Sequence, residues 1–108
     1  MSDVRMKRLH VVVPWKSGLH LRPAARLVRL ALNVRSSICV KANGKMADAR
    51  SILSIMLLCA SLGTTLDVEA TGTDEDTAIQ AVENIFASAE DGSDADGDHL
   101  PDGPGIRM

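Results

Sequence analysis

The stretch Ser36-Ser37-Ile38-Cys39-Val40-Lys41-Ala42-Asn43-Gly44-Lys45-Met46-Ala47-Asp48 decides the fold. Ile38, Val40 and Ala42 alternate with more polar neighbours, the period of a strand with one buried face. Asn43-Gly44 accepts the positive φ angles of a two-residue hairpin turn, so Lys45 to Asp48 is expected to return as an antiparallel partner. An antiparallel sheet with one apolar face needs helices on that face alone.

Working towards the N-terminus, residues 22–32 carry Ala24, Leu27, Val28 and Ala31 at helical spacing, which predicts an amphipathic helix. Arg22, Arg26 and Arg29 share another stripe of it, and Asn33 is placed to cap its C-terminus. Before it, residues 6–14 read as a strand with Leu9, Val11 and Val13 on one side and Pro14 at its end.

Towards the C-terminus, Ser51 precedes the apolar run Ile52-Leu53-Ser54-Ile55-Met56-Leu57-Leu58, and Gly63 follows it. This predicts an N-cap, a helix of about three turns and a stop at the glycine. Ile52, Ile55, Met56 and Cys59 form one stripe and Leu53 and Leu57 an adjacent one, an apolar face wider than a small core needs. Residues 64–70 alternate as a strand with Leu66, Val68 and Ala70 inward. Thr73 or Asp74 is expected to cap a last helix, with Asp76 closing a capping box and Ala78, Val82, Ile85 and Ala89 buried, Ile79 and Phe86 beside them. The order β-α-β-β-α-β-α predicts an α+β open-faced sandwich, a four-stranded antiparallel sheet covered on one face by three helices.

The 108 residues, 45% of them hydrophobic, suffice for one domain with a modest core. Trp15 and Phe86 are the only aromatic residues, so that core is aliphatic. The formal charge of −2 is unevenly spread: residues 1–88 carry a net of +3 and residues 89–108 a net of −5. A mildly basic body without stacking aromatics argues for an acidic partner surface and against nucleic acid. Cys39 and Cys59 lack zinc-site spacing and read as reduced, buried thiols. No apolar stretch suggests a signal peptide or a membrane span, so a soluble cytoplasmic protein is expected. Residues 1–89 read as one domain and 90–108, rich in Asp, Gly, Ser and Pro, as a disordered acidic tail. Asp94, Asp96 and Asp98 around Gly97 resemble a calcium loop, but no acid follows at the closing position.

The run Ser17-Gly18-Leu19-His20-Leu21-Arg22-Pro23-Ala24 points to chemistry. Proline is tolerated in a helix's first turn, where its missing N–H has no acceptor anyway. His20 therefore sits at or just outside a helix N-terminus, where unpaired amides and the macrodipole attract anions. Imidazole is a nucleophile near neutral pH, and with Arg22 two residues on, this is a place to hold a phosphoryl group.

These residues, with Asn43-Gly44-Lys45 and Arg50-Ser51-Ile52-Leu53 at matching separation, make the chain resemble the HPr family over about residues 6–88. HPr proteins are the histidine-containing phosphocarriers of the bacterial phosphoenolpyruvate:sugar phosphotransferase system. The resemblance implies that His20 is phosphorylated at Nδ1 by the phosphohistidine of Enzyme I and passes the group to a histidine of a sugar-specific IIA domain. It implies a carrier working only with partner proteins, as a likewise implied monomer, with no cofactor and no metal. Arg22 resembles the arginine that pairs with the phosphoryl oxygens. Ser17 stands where a side chain hydrogen-bonds near that group, although it fits an ordinary turn residue equally well. Ser51 matches a regulatory site modified by HPr kinase/phosphorylase, where the added charge would favour the helix start and repel anionic partners. The implied docking surface combines Leu21, Ala25, Ile52, Leu53, Met56 and Leu57 with Arg26 and Arg29 at its rim, Leu53 being the member most expected to be exposed. Cys59 stands where many relatives carry glycine, Ser54 where some enteric members carry lysine, and the acidic tail is outside the family plan.

Two other readings stay open on the residues alone. One is a regulatory binding module governed by phosphorylation at Ser51 or His20 and acting on a regulatory protein. The other, a metal- or ligand-binding domain using His10, His20 and His99, is disfavoured by one histidine on a strand and another in the tail.

Overall fold

The computed structural model describes residues 5–88. Ala89, the tail expected over 90–108, its calcium-like aspartates and His99 lie outside the described residues. The elements are β1 (Met6–Val12), α1 (Leu21–Asn33), β2 (Ser37–Ala42), β3 (Lys45–Asp48), α2 (Ile52–Leu57), β4 (Thr65–Thr71) and α3 (Glu75–Ala87). All strand pairs are antiparallel, in the order β1-β4-β2-β3, and the three helices cover one face, the architecture expected from the sequence.

Strand β4 lies between β1 and β2, with Val68 across from Leu9 on one side and Val40 on the other. Its Leu66, Val68 and Ala70 are fully buried. They meet Ala24 and Leu27 from α1, Ile55 from α2 and Ala78, Val82 and Phe86 from α3 in one core. Burying a side chain such as Leu27 or Leu66 contributes about 1.5–3 kcal/mol. At the hairpin, Asn43 (φ 54°) and Gly44 (φ 76°) both take positive φ, the signature of a type I′ turn matched to the twist of its strands.

Some local expectations need correction. Helix α2 spans only six residues and ends well before Gly63. Cys59 takes φ 53°, and its amide bonds the Met56 carbonyl at 3.1 Å, a tightening that closes the helix. The freed carbonyls find side chains from the hairpin: Asn43 Nδ2 donates to Leu58 O at 2.9 Å and Lys45 Nζ to Leu57 O at 3.3 Å. The stop is therefore tertiary and invisible to a local scan.

Asp74 is the N-cap of α3, but its side chain makes no cap bond and the capping box does not form. Asp76 instead meets Lys7 at 2.9 Å. The Asp74 carboxylate accepts from the amides of Arg35 at 2.9 Å and Ser36 at 2.8 Å, and from the Ser36 hydroxyl. Ser36 is fully buried, so this one carboxylate pins the α1–β2 corner to the start of α3. In α3 Phe86 is buried and Ile85 only half-buried, a shift of the expected stripe. Cys39 and Cys59 are free as expected but not buried, Cys39 being half-buried and Cys59 exposed. The C-cap of α1 is Val34 rather than the expected Asn33, which ends the helix and donates its side-chain amide to Arg29 O at 2.9 Å.

Two stability tests follow from this wiring. The Ser36 hydroxyl and then the Arg35 amide hold the Asp74 carboxyl below its usual 3.8. A depressed carboxyl pKa adds stability above the unfolded value, and that stability is lost as pH falls through the folded value. Ser36→Ala should lower stability by about 1.5–3 kcal/mol at neutral pH in urea melts, and the gap to the wild type should narrow as Asp74 protonates. Cys59→Gly should raise stability by about 1 kcal/mol, because glycine holds the left-handed conformation without strain.

Candidate functional site

The β1 ladder continues past Val12 through Val13, whose amide donates to Thr64 O and whose carbonyl accepts from Gly63 N, both at 2.9 Å. The chain then turns, and Gly18 N donates to Trp15 O at 2.8 Å. Gly18 has φ 75°, and a Cβ there would lie 2.7 Å from Ala60 O. This close approach lets Leu19 N donate to the same Ala60 carbonyl at 2.8 Å. The loop before α1 is thereby tied to the segment after α2.

His20 follows at once. Its amide bonds Gly18 O at 2.8 Å and its carbonyl accepts from Ala24 N at 3.0 Å. It is the N-cap of α1 with extended backbone, φ −91° and ψ −171°, and its side chain makes no cap bond. The imidazole is thus carried at the helix start without being consumed by capping. The amides of Leu21 and Arg22 precede the first intrahelical bond, Pro23 contributes none, and the first turn holds no acid, leaving the positive end of the dipole uncompensated from within the helix.

The ring is half-buried. Nε2 is buried without a hydrogen-bond partner, so the ring's inner nitrogen is closed to an incoming macromolecule. Trp15 meets the ring edge-on, with centroids 6.4 Å apart and planes at 71°. Phe86 packs behind Trp15 at 5.1 Å. The chain's only tryptophan and only phenylalanine therefore stand in line behind His20. Sequence reading registered their scarcity but assigned them no role. A lone tryptophan three residues before Gly18 is the signal that was there to be used.

The other expected site residues are distributed as follows. Arg22 is exposed in the first turn of α1, and Ser17 is exposed in the turn before it. Leu21, Leu53 and Leu57 are 61%, 67% and 57% exposed, large values for leucine, and Met56 is also exposed. Ala25 and Ile52 are half-buried, as is Arg26, while Arg29 is exposed. Helices α1 and α2 touch, so these apolar side chains and the arginines belong to the helical layer that carries His20. Ser51 is the N-cap of α2, its Oγ accepting from Ser54 N at 3.2 Å. Asn43 and Lys45, read from the sequence as turn, returning strand and part of a motif but not as contacts of α2, brace the end of that helix and so support the segment whose Ala60 carbonyl holds Leu19.

Among the described residues no group of three or more His, Cys, Asp or Glu side chains is arranged to hold a metal. His10 lies apart, beside Asp67 on β4 at 3.5 Å, so it does not join His20. No helix among the described residues is long and apolar enough to cross a membrane.

Comparison with known proteins bears on this geometry. A family described as "PTS HPr component phosphorylation site" matches residues 7–88. The phosphocarrier protein HPr of Cupriavidus necator is 40% identical over 73 residues, covering 68% of this chain and 82% of that protein. The crystal structure of HPr-C-His from Thermoanaerobacter tengcongensis superimposes with a TM-score of 0.73 at 37% identity, covering 77% of this chain and 93% of the other. That of a phosphocarrier protein HPr from Bacillus anthracis gives 0.70 at 32% identity, over 75% and 96% of the two chains.

The close approach at Gly18 yields a direct test. Gly18→Ala should push the loop off Ala60, costing about 2 kcal/mol or more from a strained φ and a backbone collision. Urea melts should record the loss, and the Leu19 amide should lose its protection against hydrogen exchange while the β4 amides keep theirs in order of stability.

Proposed function

The chain belongs to the HPr family, with its general role in phosphoryl transfer within the phosphotransferase system, and on that premise we propose that His20 is the phosphoryl acceptor. It takes the group from the phosphohistidine of Enzyme I and gives it to a histidine of a sugar-specific IIA domain. The observation that carries this reading is the placement of the imidazole as N-cap of α1 with its side chain free of capping.

The reacting atom is Nδ1, since Nε2 is the buried nitrogen. Its lone pair forms the new P–N bond as the donor's P–N bond breaks, and that electron pair returns to the donor imidazole; Nε2 keeps its proton. The phosphoryl oxygens then face the amides at the start of α1, where the dipole favours negative charge. Arg22 lies within the same turn and supplies charge-assisted hydrogen bonds as negative charge shifts in transfer. Ser17 sits in the preceding turn as an additional donor. No metal or sealed pocket is needed, because phosphoryl transfer depends mainly on positioning and charge, and a carrier has to release what it binds.

Leu21, Ala25, Ile52, Leu53, Met56 and Leu57, with Arg26 and Arg29, form the surface that docks both partners in turn. The protein acts as a monomer in the cytoplasm and as a carrier rather than a self-sufficient enzyme. A second role rests on Ser51: its Oγ already sits at the start of α2, next to Ile52 and Leu53. Phosphorylation there by an HPr kinase/phosphorylase would place a dianion in the docking surface, weakening exchange with Enzyme I and making a new face for a regulatory protein.

Incubation with Enzyme I and labelled phosphoenolpyruvate tests the assignment. The wild type should carry acid-labile label and His20→Ala none. Arg22→Ala should slow transfer roughly 10–100-fold, with an unchanged melting curve. A wild type that takes no label, or a His20→Ala variant that keeps it, overturns the reading.

A further inference from the structure

Trp15 stands five residues before His20 in the loop that leads into α1, and the transfer step proposed for His20 gives it no part. It is only 3% exposed, deep burial for so large a side chain. The loop around it is fixed: Val13 is bonded to Thr64 and Gly63, and the Trp15 carbonyl accepts from Gly18 N at 2.8 Å. Behind the indole lies the buried Phe86, with centroids 5.1 Å apart and planes at 37°. A ring anchored through its backbone and backed by a second ring has little freedom to turn. What it presents to His20 is a fixed surface.

His20 meets that surface at an angle. The ring planes lie at 71° with centroids 6.4 Å apart, a T-shaped pair, which sets the edge of one ring towards the face of the other. The imidazole Nε2 is buried and has no hydrogen-bond partner among the described residues. A neutral imidazole carries a proton on one nitrogen and a lone pair on the other, and the partner offered to one nitrogen decides which. With Nε2 protonated, the buried N–H points its positive end at a π cloud, a weak acceptor. With Nε2 bare, a lone pair is buried against the negative face of an indole and no donor meets it. The first arrangement is lower in energy.

We propose that Trp15 is a positioning residue for His20: its indole face receives the Nε2–H, fixing the tautomer and turning Nδ1 outward with its lone pair free. Transfer then needs no base. The Nδ1 pair forms the P–N bond, the pair of the breaking donor bond returns to the donor ring, and the Nε2 proton stays in place. In delivery the Nδ1 pair returns to His20 as the acceptor's nitrogen attacks phosphorus. Phe86 acts one step further back by holding the indole plane. The tautomer follows from the ring geometry, whereas its effect on transfer rests on the phosphocarrier reading.

Nitrogen-15 and proton spectra of the full-length protein, labelled in its histidine rings, test the tautomer directly. With the ring neutral, His20 should show one tautomer, protonated at Nε2, and that proton should exchange slowly with solvent. It should lie upfield of its position in free histidine, as a proton over an aromatic face does, and show cross-relaxation with Trp15 ring protons. A proton on Nδ1, a mixture of tautomers, or a downfield shift of the kind an indole edge gives, each overturns the proposal. Two variants then separate orientation from packing: Trp15→Met keeps an apolar side chain without a π face, and Trp15→Phe keeps a face. In the Enzyme I assay Trp15→Met should lower kcat about 10- to 100-fold, with KM for this protein within about twofold of wild type. Its His20 ring should show both tautomers, and Trp15→Phe should recover most of the lost rate. A folded Trp15→Met protein with wild-type kcat, a Trp15→Phe protein no faster than Trp15→Met, or a loss carried by KM alone overturns the positioning role. Should urea melts show Trp15→Met unfolded, the wild-type spectra decide. A wild type that takes no phosphoryl group removes the phosphocarrier reading and leaves the spectra to judge the tautomer.

Discussion

The hydrogen bond from the Leu19 amide to the Ala60 carbonyl, 2.8 Å long, is the contact on which the site depends. It exists because Gly18 has no Cβ to collide with that carbonyl. Ala60 in turn is held where it is by the abrupt end of α2, and that end is braced by Asn43 and Lys45 from the hairpin. A chain of short-range requirements therefore runs from a type I′ turn on the sheet edge to the imidazole at the start of α1. A loop this constrained loses little conformational freedom when a partner docks, which lowers the entropy cost of each encounter.

The sheet separates two electrostatic environments. On the side away from the helices, Glu69 accepts from Lys41 and meets Arg8, both at 3.1 Å, and its carboxyl is held below the usual range, first by the Lys41 hydrogen bond. Those charges are matched within the fold. On the other side, α1 carries three arginines, α2 carries no charged residue, and Leu21, Leu53 and Leu57 are exposed. Apolar side chains left uncovered beside cations are the composition that the proposed docking role asks of a surface.

How far the sequence reveals this arrangement depends on whether the deciding interaction is local. The hairpin, the alternation of β2 and β4 and the amphipathic period of α1 are local, and they were legible. So were His20 at a helix start, Ser51 as an N-cap and Leu53 as an exposed member of an over-wide apolar face. The failures share one cause. Helix α2 stops early because the hairpin side chains of Asn43 and Lys45 donate to its last carbonyls and Cys59 turns left-handed. Asp74 forgoes its own helix because Ser36, distant in sequence, offers a buried hydroxyl and amide. Trp15 and Phe86 looked like two stray aromatics because nothing in their local context places them in one line behind His20. Cys59 takes φ 53°, a conformation glycine holds without strain, so this chain keeps the turn at the expense of strain.

That aromatic line also bears on how one imidazole serves two successive partners. Trp15 and the buried Nε2 hold one side of the ring against the fold, and the residue itself is the N-cap of α1. On the proposed reading, acceptance and release use the same exposed atom of this ring. Under the same proposal a helix start and one arginine hold a phosphoryl group less strongly than a metal or a closed pocket would. A rigid, modest site is the form that suits both directions of transfer, because any stabilisation unique to the loaded state would speed loading only by slowing delivery.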